Sequence, residues 1–143
     1  MRIALAGAGA FGIKHLEALA RIDGVKVTSL VGRTLEPTRE VAQRFGVGHV
    51  TSDLAESLAR ADVDAVILAT PTQMHAQQGV ACLEAGKHVQ VEIPLADSLA
   101  GAESVLAAQR RSGAVAMVGH TRRFNPSHQW VRRRILAGEF RIQ

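Results

Sequence analysis

Three glycines between positions 7 and 12 constrain this chain more than any other feature. In Arg2-Ile-Ala-Leu-Ala-Gly7-Ala-Gly9-Ala-Phe-Gly12, the apolar run Ile3 to Ala6 reads as a short buried strand that stops at Gly7. Beyond Gly12 a helical period takes over, with Leu16, Leu19 and Ile22 on one face. G-x-G-x-x-G between a strand and a helix describes a turn that cradles phosphates. Gly7 permits the tight turn, Gly9 lets backbone approach a pyrophosphate, and Gly12 lets helix and strand pack closely. The helix opening at Ala10 and Phe11 aims its free N–H groups and positive dipole end at the same place. A glycine-rich turn without a ligand is the plainer reading; the flanking strand and helix favour a dinucleotide.

The residues that follow the next strand bear on which dinucleotide. Val25 to Val31 alternates and is β-branched, and Gly32-Arg33-Thr34 comes directly after it. A carboxylate about twenty positions beyond the glycines ordinarily holds the adenosine ribose 2′-hydroxyl. Here that place falls to Gly32. Arg33 and Thr34 offer a guanidinium fork and a hydroxyl suited to a 2′-phosphate, so NADP is expected over NAD, with NAD possible. A surface arginine in a turn is the alternative for Arg33.

Strand and helix patterns alternate to the end. A helix is expected over Glu36 to Phe45 with Gly46 behind it, a short strand over Val47 to Val50, and a helix from Leu54 capped by Asp53. Asp64 to Thr70 is nearly all apolar, as in a strand buried on both faces. A helix through Pro71, Thr72 and His75 to about Ala85 follows, then a strand over Lys87 to Glu92. Ile93-Pro94 ends that strand, Ser98 is placed to cap a helix to about Arg111, and Ala114 to Val118 is the last strand. Residues 119–126 read as a loop, and Ser127 is placed to cap a final helix to about Ala137. This is an α/β chain, a doubly wound parallel sheet with right-handed crossovers. Ligands of such sheets lie at the carboxyl ends of the strands, here loops 7–12, 32–34, 69–75, 92–94 and 119–126.

Composition narrows the remaining classes. With 143 residues the chain has the size of one domain, and with four Phe, one Trp and no Tyr its core must be Ala, Val, Leu and Ile. The net charge of +4 owes much to late arginines, including Arg132, Arg133, Arg134 and Arg141. No aromatic platform or nucleic-acid motif accompanies them, so the excess is expected to be partly an anionic-ligand site and partly a solvated helix face, with no nucleic acid. Cys82 is the one cysteine, which excludes an intrachain disulfide and suits a reducing cytoplasm. No leader or membrane-spanning run is apparent, so no membrane partner is expected.

Taken together, AGAGAFG, ILATPTQMHA, CLEAGKHVQVEIPLA and VGHTRRFNPSHQW resemble the GFO/IDH/MocA family of dehydrogenases, nearly from end to end. The resemblance implies a Rossmann domain with Thr70, Pro71 and Thr72 along the ribose–nicotinamide half of the cofactor. It also implies Glu92 near the nicotinamide ribose and His75 near the nicotinamide ring. Family members carry Glu-Lys-Pro where this chain has Glu92-Ile93-Pro94, and that lysine is assigned to catalysis. They are also considerably longer, with a C-terminal α+β domain that shapes the substrate site and the homo-oligomer. Residues 1–143 are therefore expected to be the NAD(P)-binding half, with 127–143 leading toward a second domain. Within the family, EIPLAD and VGHTRRFNPSHQ look most like an NADP enzyme of aromatic-compound breakdown that oxidises a cyclic hemiacetal carboxylate to a lactone.

That reaction fits the missing lysine, because the ring oxygen of a hemiacetal activates its carbon and a strong base is less needed. The substrate is then a small molecule carrying carboxylates, with His120, Arg122 and Arg123 as the candidate contacts. An arginine can clamp a carboxylate with two parallel bonds, and an imidazole can move a proton near neutral pH. Loop-to-helix ion pairs and a packed loop histidine are the alternatives. His15, His49, His88 and His128 show no partner signal and are expected to be structural or exposed. No Cys/His cluster has zinc spacing, so no metal is expected. A sugar or inositol dehydrogenase and a non-catalytic nucleotide-binding sensor remain the competing functions.

Overall fold

In the computed structural model, which describes residues 1–141, alternate residues of each central strand go to opposite helix layers. In β1 (Arg2–Ala6), Ile3 and Leu5 join one core with Leu16, Leu30, Ala42, Val47 and Ile67. Ala4 and Ala6 face the other, with Val66, Leu68, Leu83, Val91 and Val105. Strand β4 (Ala65–Leu68) is buried throughout. Two cores need helices on both faces, which is why these strands read as nearly continuous apolar runs.

The sheet has six parallel strands in the order β3-β2-β1-β4-β5-β6. The others are β2 (Lys26–Val31), β3 (His49–Thr51), β5 (His88–Val91) and β6 (Ala116–Val118). Helices α1 (Ala10–Leu19) and α2 (Leu35–Phe45) lie in the first half, and α3 (Leu54–Leu58) joins β3 to β4. In the second half, α4 (Thr72–Glu84) and α5 (Leu99–Ser112) pack closely through small residues. A Cβ on Gly101 would lie 3.1 Å from that of Ala76, and one on Gly79 would meet Val105 at 3.5 Å. A 3-10 turn (Thr121–Phe124) and α6 (Pro126–Leu136) end the domain. Successive strands are added outward on one side from β1 to β3 and on the other from β4 to β6, so the carboxyl ends of β1 and β4 open the crevice where such sheets bind ligands.

Several bounds shift by a residue or two, β6 starting at Ala116 and β4 spanning only Ala65–Leu68, and four differences have a visible local cause. Ile22 is exposed, because α1 closes at Leu19 and the tighter bonds Arg21 N–H to Ala18 and Ile22 N–H to Leu19 turn it outward. Strand β3 starts two residues late because the Val47 N–H closes back on the Ala42 carbonyl behind left-handed Gly46. The cap of α6 is Asn125, not Ser127: its side chain accepts from the Ser127 N–H, and Pro126 in the first turn loses no helical bond. Residues 121–124, expected as loop, form the 3-10 turn. Asp53 and Ser98 cap α3 and α5 as the spacing implies. Ile142 and Gln143, at the end of the stretch expected to lead toward a second domain, lie outside the described residues.

The amino edge of the sheet is closed by matched charges. Asp64 accepts from the Arg2 guanidinium at 2.5 and 3.1 Å and from the Arg2 backbone N–H at 2.8 Å. Arg60 holds Asp62 with two 2.8 Å bonds, and Lys87 donates to the Arg60 and Val63 carbonyls. The Arg2 side chain and backbone hold the Asp64 carboxyl well below the usual carboxylate range. A depressed folded value means stability that is fully present above the ordinary Asp pKa of about 4 and is lost as pH falls through the folded value. In urea unfolding, the advantage of wild type over Asp64→Asn should hold constant from about pH 5 to 7 and shrink progressively below about pH 4. An advantage that grows on acidification would contradict this assignment.

Candidate functional site

The glycine turn is shaped by two close approaches and one gap. Gly7 has φ 110°, donates to the Val31 carbonyl at 2.8 Å, and leaves no room for a Cβ, which would lie 2.3 Å from the Ala69 carbonyl oxygen. A Cβ on Gly12 would lie 1.7 Å from the Gly7 carbonyl oxygen. Nothing stands within 4 Å of the Cβ direction of Gly9, the cap of α1. No side chain caps that helix and its first turn carries no acid, so its first N–H groups are available to an anion. Turn and helix start thus form a cradle that a side chain on Gly9 would fill, which is the fit a pyrophosphate requires. Ala10 and Phe11 open the helix, and the exposed Phe11 ring stands edge-on to His15 at 5.6 Å.

At the end of β2 the missing carboxylate has a steric cause. A Cβ on Gly32 would lie 2.0 Å from Thr38 Oγ1. Thr38 is buried, and its hydroxyl donates to the Thr34 carbonyl at 2.7 Å, so it has little freedom to yield. Arg33 is exposed and without an ion pair among the described residues. Thr34 caps α2 through its backbone while its hydroxyl makes no cap bond.

At the end of β4, Thr70 Oγ1 donates to Gln78 at 2.5 Å, and Pro71 and Thr72 begin α4. His75, 1% exposed, lies inside this turn. Its Nε2 is 2.8 Å from the Thr70 carbonyl and its Nδ1 2.7 Å from the Pro94 carbonyl. The ring bridges the loops after β4 and β5, and neither nitrogen is left for a ligand. At the end of β5, Glu92 is buried with Oε1 2.9 Å from His15 Nε2. A Cβ on Gly119 would lie 2.9 and 3.2 Å from its two oxygens, so the glycine makes room for the carboxylate. Ile93 is 49% exposed beside it.

After β6, His120, Arg122 and Arg123 are all exposed. The two arginines line a groove of about 630 Å³ with His128, Gln129, Arg132 and Arg133. Gln129 donates to the Arg123 carbonyl, and none of these four guanidiniums has a carboxylate partner among the described residues. Cys82 is fully buried, and burial pushes its thiol up to about 12, as suits a core residue rather than a nucleophile. Among the described residues no group of three or more His, Cys, Asp or Glu could hold a metal, and no helix is long and apolar enough to cross a membrane.

His15 is the site residue that sequence reasoning missed. It sits three positions after Gly12 on the stripe Gly12, His15, Leu16, Leu19, which faces the sheet, and a polar ring there needs a partner. The other histidines divide as expected: His49 bonds Ser29, His88 accepts from the Val115 N–H, and His128 is exposed.

Residues 1–120 of this fold match the oxidoreductase family with an NAD-binding Rossmann fold, and the chain belongs to this GFO/IDH/MocA family. Over all 143 residues it is 63% identical to 4-carboxy-2-hydroxymuconate-6-semialdehyde dehydrogenase of Sphingobium sp. (strain NBRC 103272 / SYK-6), spanning 45% of that protein's length. It superposes on scyllo-inositol dehydrogenase from Lactobacillus casei, solved with NAD(H) and scyllo-inositol, with a TM-score of 0.92. Identity there is 26%, over 97% of this chain and 42% of that one. KijD10, a 3-ketoreductase from Actinomadura kijaniata solved with NADP, matches with a TM-score of 0.88 and 29% identity, over 96% and 44% of the two chains.

The last two glycines of the turn should separate fold from binding. Gly9→Val should change stability by no more than about 0.5–1 kcal/mol yet abolish NAD(P) binding in calorimetry. Gly12→Ala should cost about 1–3 kcal/mol or more in urea unfolding, since backbone must move to admit the methyl group. Equal effects of the two changes on both measurements would refute the division.

Proposed function

We propose that this chain is the cofactor domain of an NADP-dependent dehydrogenase that oxidises a cyclic hemiacetal bearing carboxylates to a lactone. The reaction is that of 4-carboxy-2-hydroxymuconate-6-semialdehyde giving 2-pyrone-4,6-dicarboxylate, in the breakdown of aromatic compounds. The observation that carries it is the 63% identity to the dehydrogenase of that semialdehyde, unbroken over the whole chain. The remainder of the substrate wall and the homo-oligomer contacts belong, on this reading, to a second domain of a longer parent located in the cytoplasm.

The chemistry asks for little beyond positioning. One hydride leaves the hemiacetal carbon and one proton its hydroxyl, and the carbon becomes a lactone carbonyl. The nicotinamide supplies the hydride acceptor when bound. Gly7, Gly9, Ala10, Phe11 and Gly12 cradle the pyrophosphate; Thr70, Pro71, Thr72 and Glu92 line the nicotinamide side. His75 serves that side by fixing the loops around it. Arg122 or Arg123 clamps a substrate carboxylate, and His120, whose ring makes no side-chain bond among the described residues, takes the proton. Ile93 supplies no ammonium, which a hemiacetal tolerates better than a plain alcohol. The unpaired arginines after β6 support an anionic substrate. The fold match to scyllo-inositol dehydrogenase favours a second reading, a neutral cyclitol or sugar.

The cofactor preference rests on the corner at Arg33. Steric exclusion of a side chain at Gly32 removes the carboxylate that would repel a 2′-phosphate, while Arg33 and Thr34 are free to bind it. Arg33→Ala should weaken NADP binding by about 1.5–3 kcal/mol and leave NAD nearly unchanged in calorimetric titration. A variant that weakens both equally would sink the assignment.

The substrate class is tested kinetically on the parent enzyme with Arg122→Ala and Arg123→Ala. One of them should lose roughly ten- to a hundredfold in kcat/KM on the acid substrate and far less on a neutral aldose. Unchanged discrimination in both variants would return the protein to the cyclitol and sugar dehydrogenases.

A further inference from the structure

Strand order determines where each half of a dinucleotide can lie. The glycine turn follows β1, which stands between β2 and β4. A ligand anchored there runs one way to Arg33 and Thr34 and the other way to Thr70 and Glu92. Glu92 ends β5, two strands from β1, roughly 10 Å at the usual spacing. With the adenosine on the β2 side, the second ribose falls to the Thr70–Glu92 side.

The Glu92 carboxylate is built into that edge from three directions. His15 holds Oε1, Gly119 leaves the space in which the group sits, and the Glu92 N–H donates to the Leu68 carbonyl at 3.0 Å. The side chains of His15 and Glu92 are 17% and 10% exposed, so solvent screens the pair little. Oε2 has no protein partner among the described residues. One oxygen braced and one free make an acceptor fixed in a single rotamer and open to a donor from the crevice. The brace originates in α1, the same helix whose first turn faces the phosphates, and Phe11 packs against the His15 ring.

We propose that His15 is a positioning residue for the nicotinamide half of the cofactor: it fixes the Glu92 carboxylate to accept from the hydroxyls of the nicotinamide-side ribose. The proposal rests on the cofactor reading above. His15 couples the helix that holds the phosphates to the carboxylate that holds the sugar beyond them. A histidine merely filling the α1–sheet interface would affect both halves of the cofactor alike; this one affects one half.

The test is calorimetric titration of the 143-residue chain with NADP⁺, NAD⁺ and 2′,5′-ADP, the adenosine half alone. His15→Ala should weaken NADP⁺ about tenfold and 2′,5′-ADP by less than about twofold. His15→Gln, whose amide can donate to Glu92, should recover NADP⁺ affinity to within about threefold of wild type. In a Glu92→Ala background the His15 change should add nothing, because the interaction it removes is already gone. Equal losses on NADP⁺ and 2′,5′-ADP, no loss on either, or additive losses would overturn the proposal. Should the alanine variant unfold, Glu92→Gln decides in its place, with the same selective loss expected. A wild type that prefers NAD⁺ while His15→Ala still selectively weakens the dinucleotides would overturn the NADP reading and support the role of His15. A wild type that binds no dinucleotide overturns both.

Discussion

The contact on which this domain depends is the approach of α1 to the turn after β1, where only a hydrogen atom separates the Gly12 Cα from the Gly7 carbonyl. The position a Cβ would take is 1.7 Å from that oxygen, so the distance leaves no latitude in the helix axis. Three consequences follow from the one approach. The first N–H groups of α1 point into the turn, the stripe containing Leu16 seals one face of the sheet, and His15 meets Glu92 across 77 residues of sequence. Any residue larger than glycine at position 12 would disturb all three together, because a close-packed interior transmits a shift instead of absorbing it.

Charge is distributed across the sheet with the same economy. At the amino edge Arg2, Arg60 and Lys87 each have a carboxylate or carbonyl partner. At the carboxyl edge Arg33, Arg122 and Arg123 have no carboxylate partner among the described residues. In a parallel sheet with crossover helices, that second edge also collects the positive ends of the helix dipoles. Unpaired cations placed where the backbone is already positive add to that field with no carboxylate to offset them. An arrangement of that kind becomes favourable once anions arrive, and its field draws them in. The net charge of +4 is thus better described by its placement than by its size.

What could be read from the sequence was whatever has a short period. Alternation along Val25 to Val31, the unbroken Ala65–Leu68 run and the capping residues Asp53 and Ser98 are local, and local rules locate them. The glycines of the turn are legible through their spacing, although the contact that excludes a side chain at Gly7 comes from Ala69, which lies on a different strand end. The absence of an acid at Gly32 could be seen, but not its cause, since Thr38 reaches back into that space only once α2 is folded. The histidines were the least legible. His75 reads as a ligand contact and is a buried bridge between two loops; His15 lies on the sheet-facing stripe of α1, but its partner Glu92 is 77 residues away. A side chain's partner across the sheet depends on strand order, which no single stretch of sequence contains.

The adjacent pair Glu92 and Ile93 shows how differently two neighbouring positions can be held by the fold. Glu92 points inward, is enclosed by His15 and Gly119, and leaves one oxygen for a hydroxyl. Ile93 points outward and is half exposed, so its side chain is held by little of the fold. Substitution at the outward position changes the chemistry offered to a substrate at small structural cost, whereas substitution at the inward one strands a buried imidazole without its partner. Position 93 is therefore the freer of the two to vary, while position 92 is tied to His15 and to the space left by Gly119. The arginines after β6 stand on a different strand end, outside that constraint. A sheet whose loops gather at one edge can in this way change an exposed side chain there without disturbing the packed ones beside it.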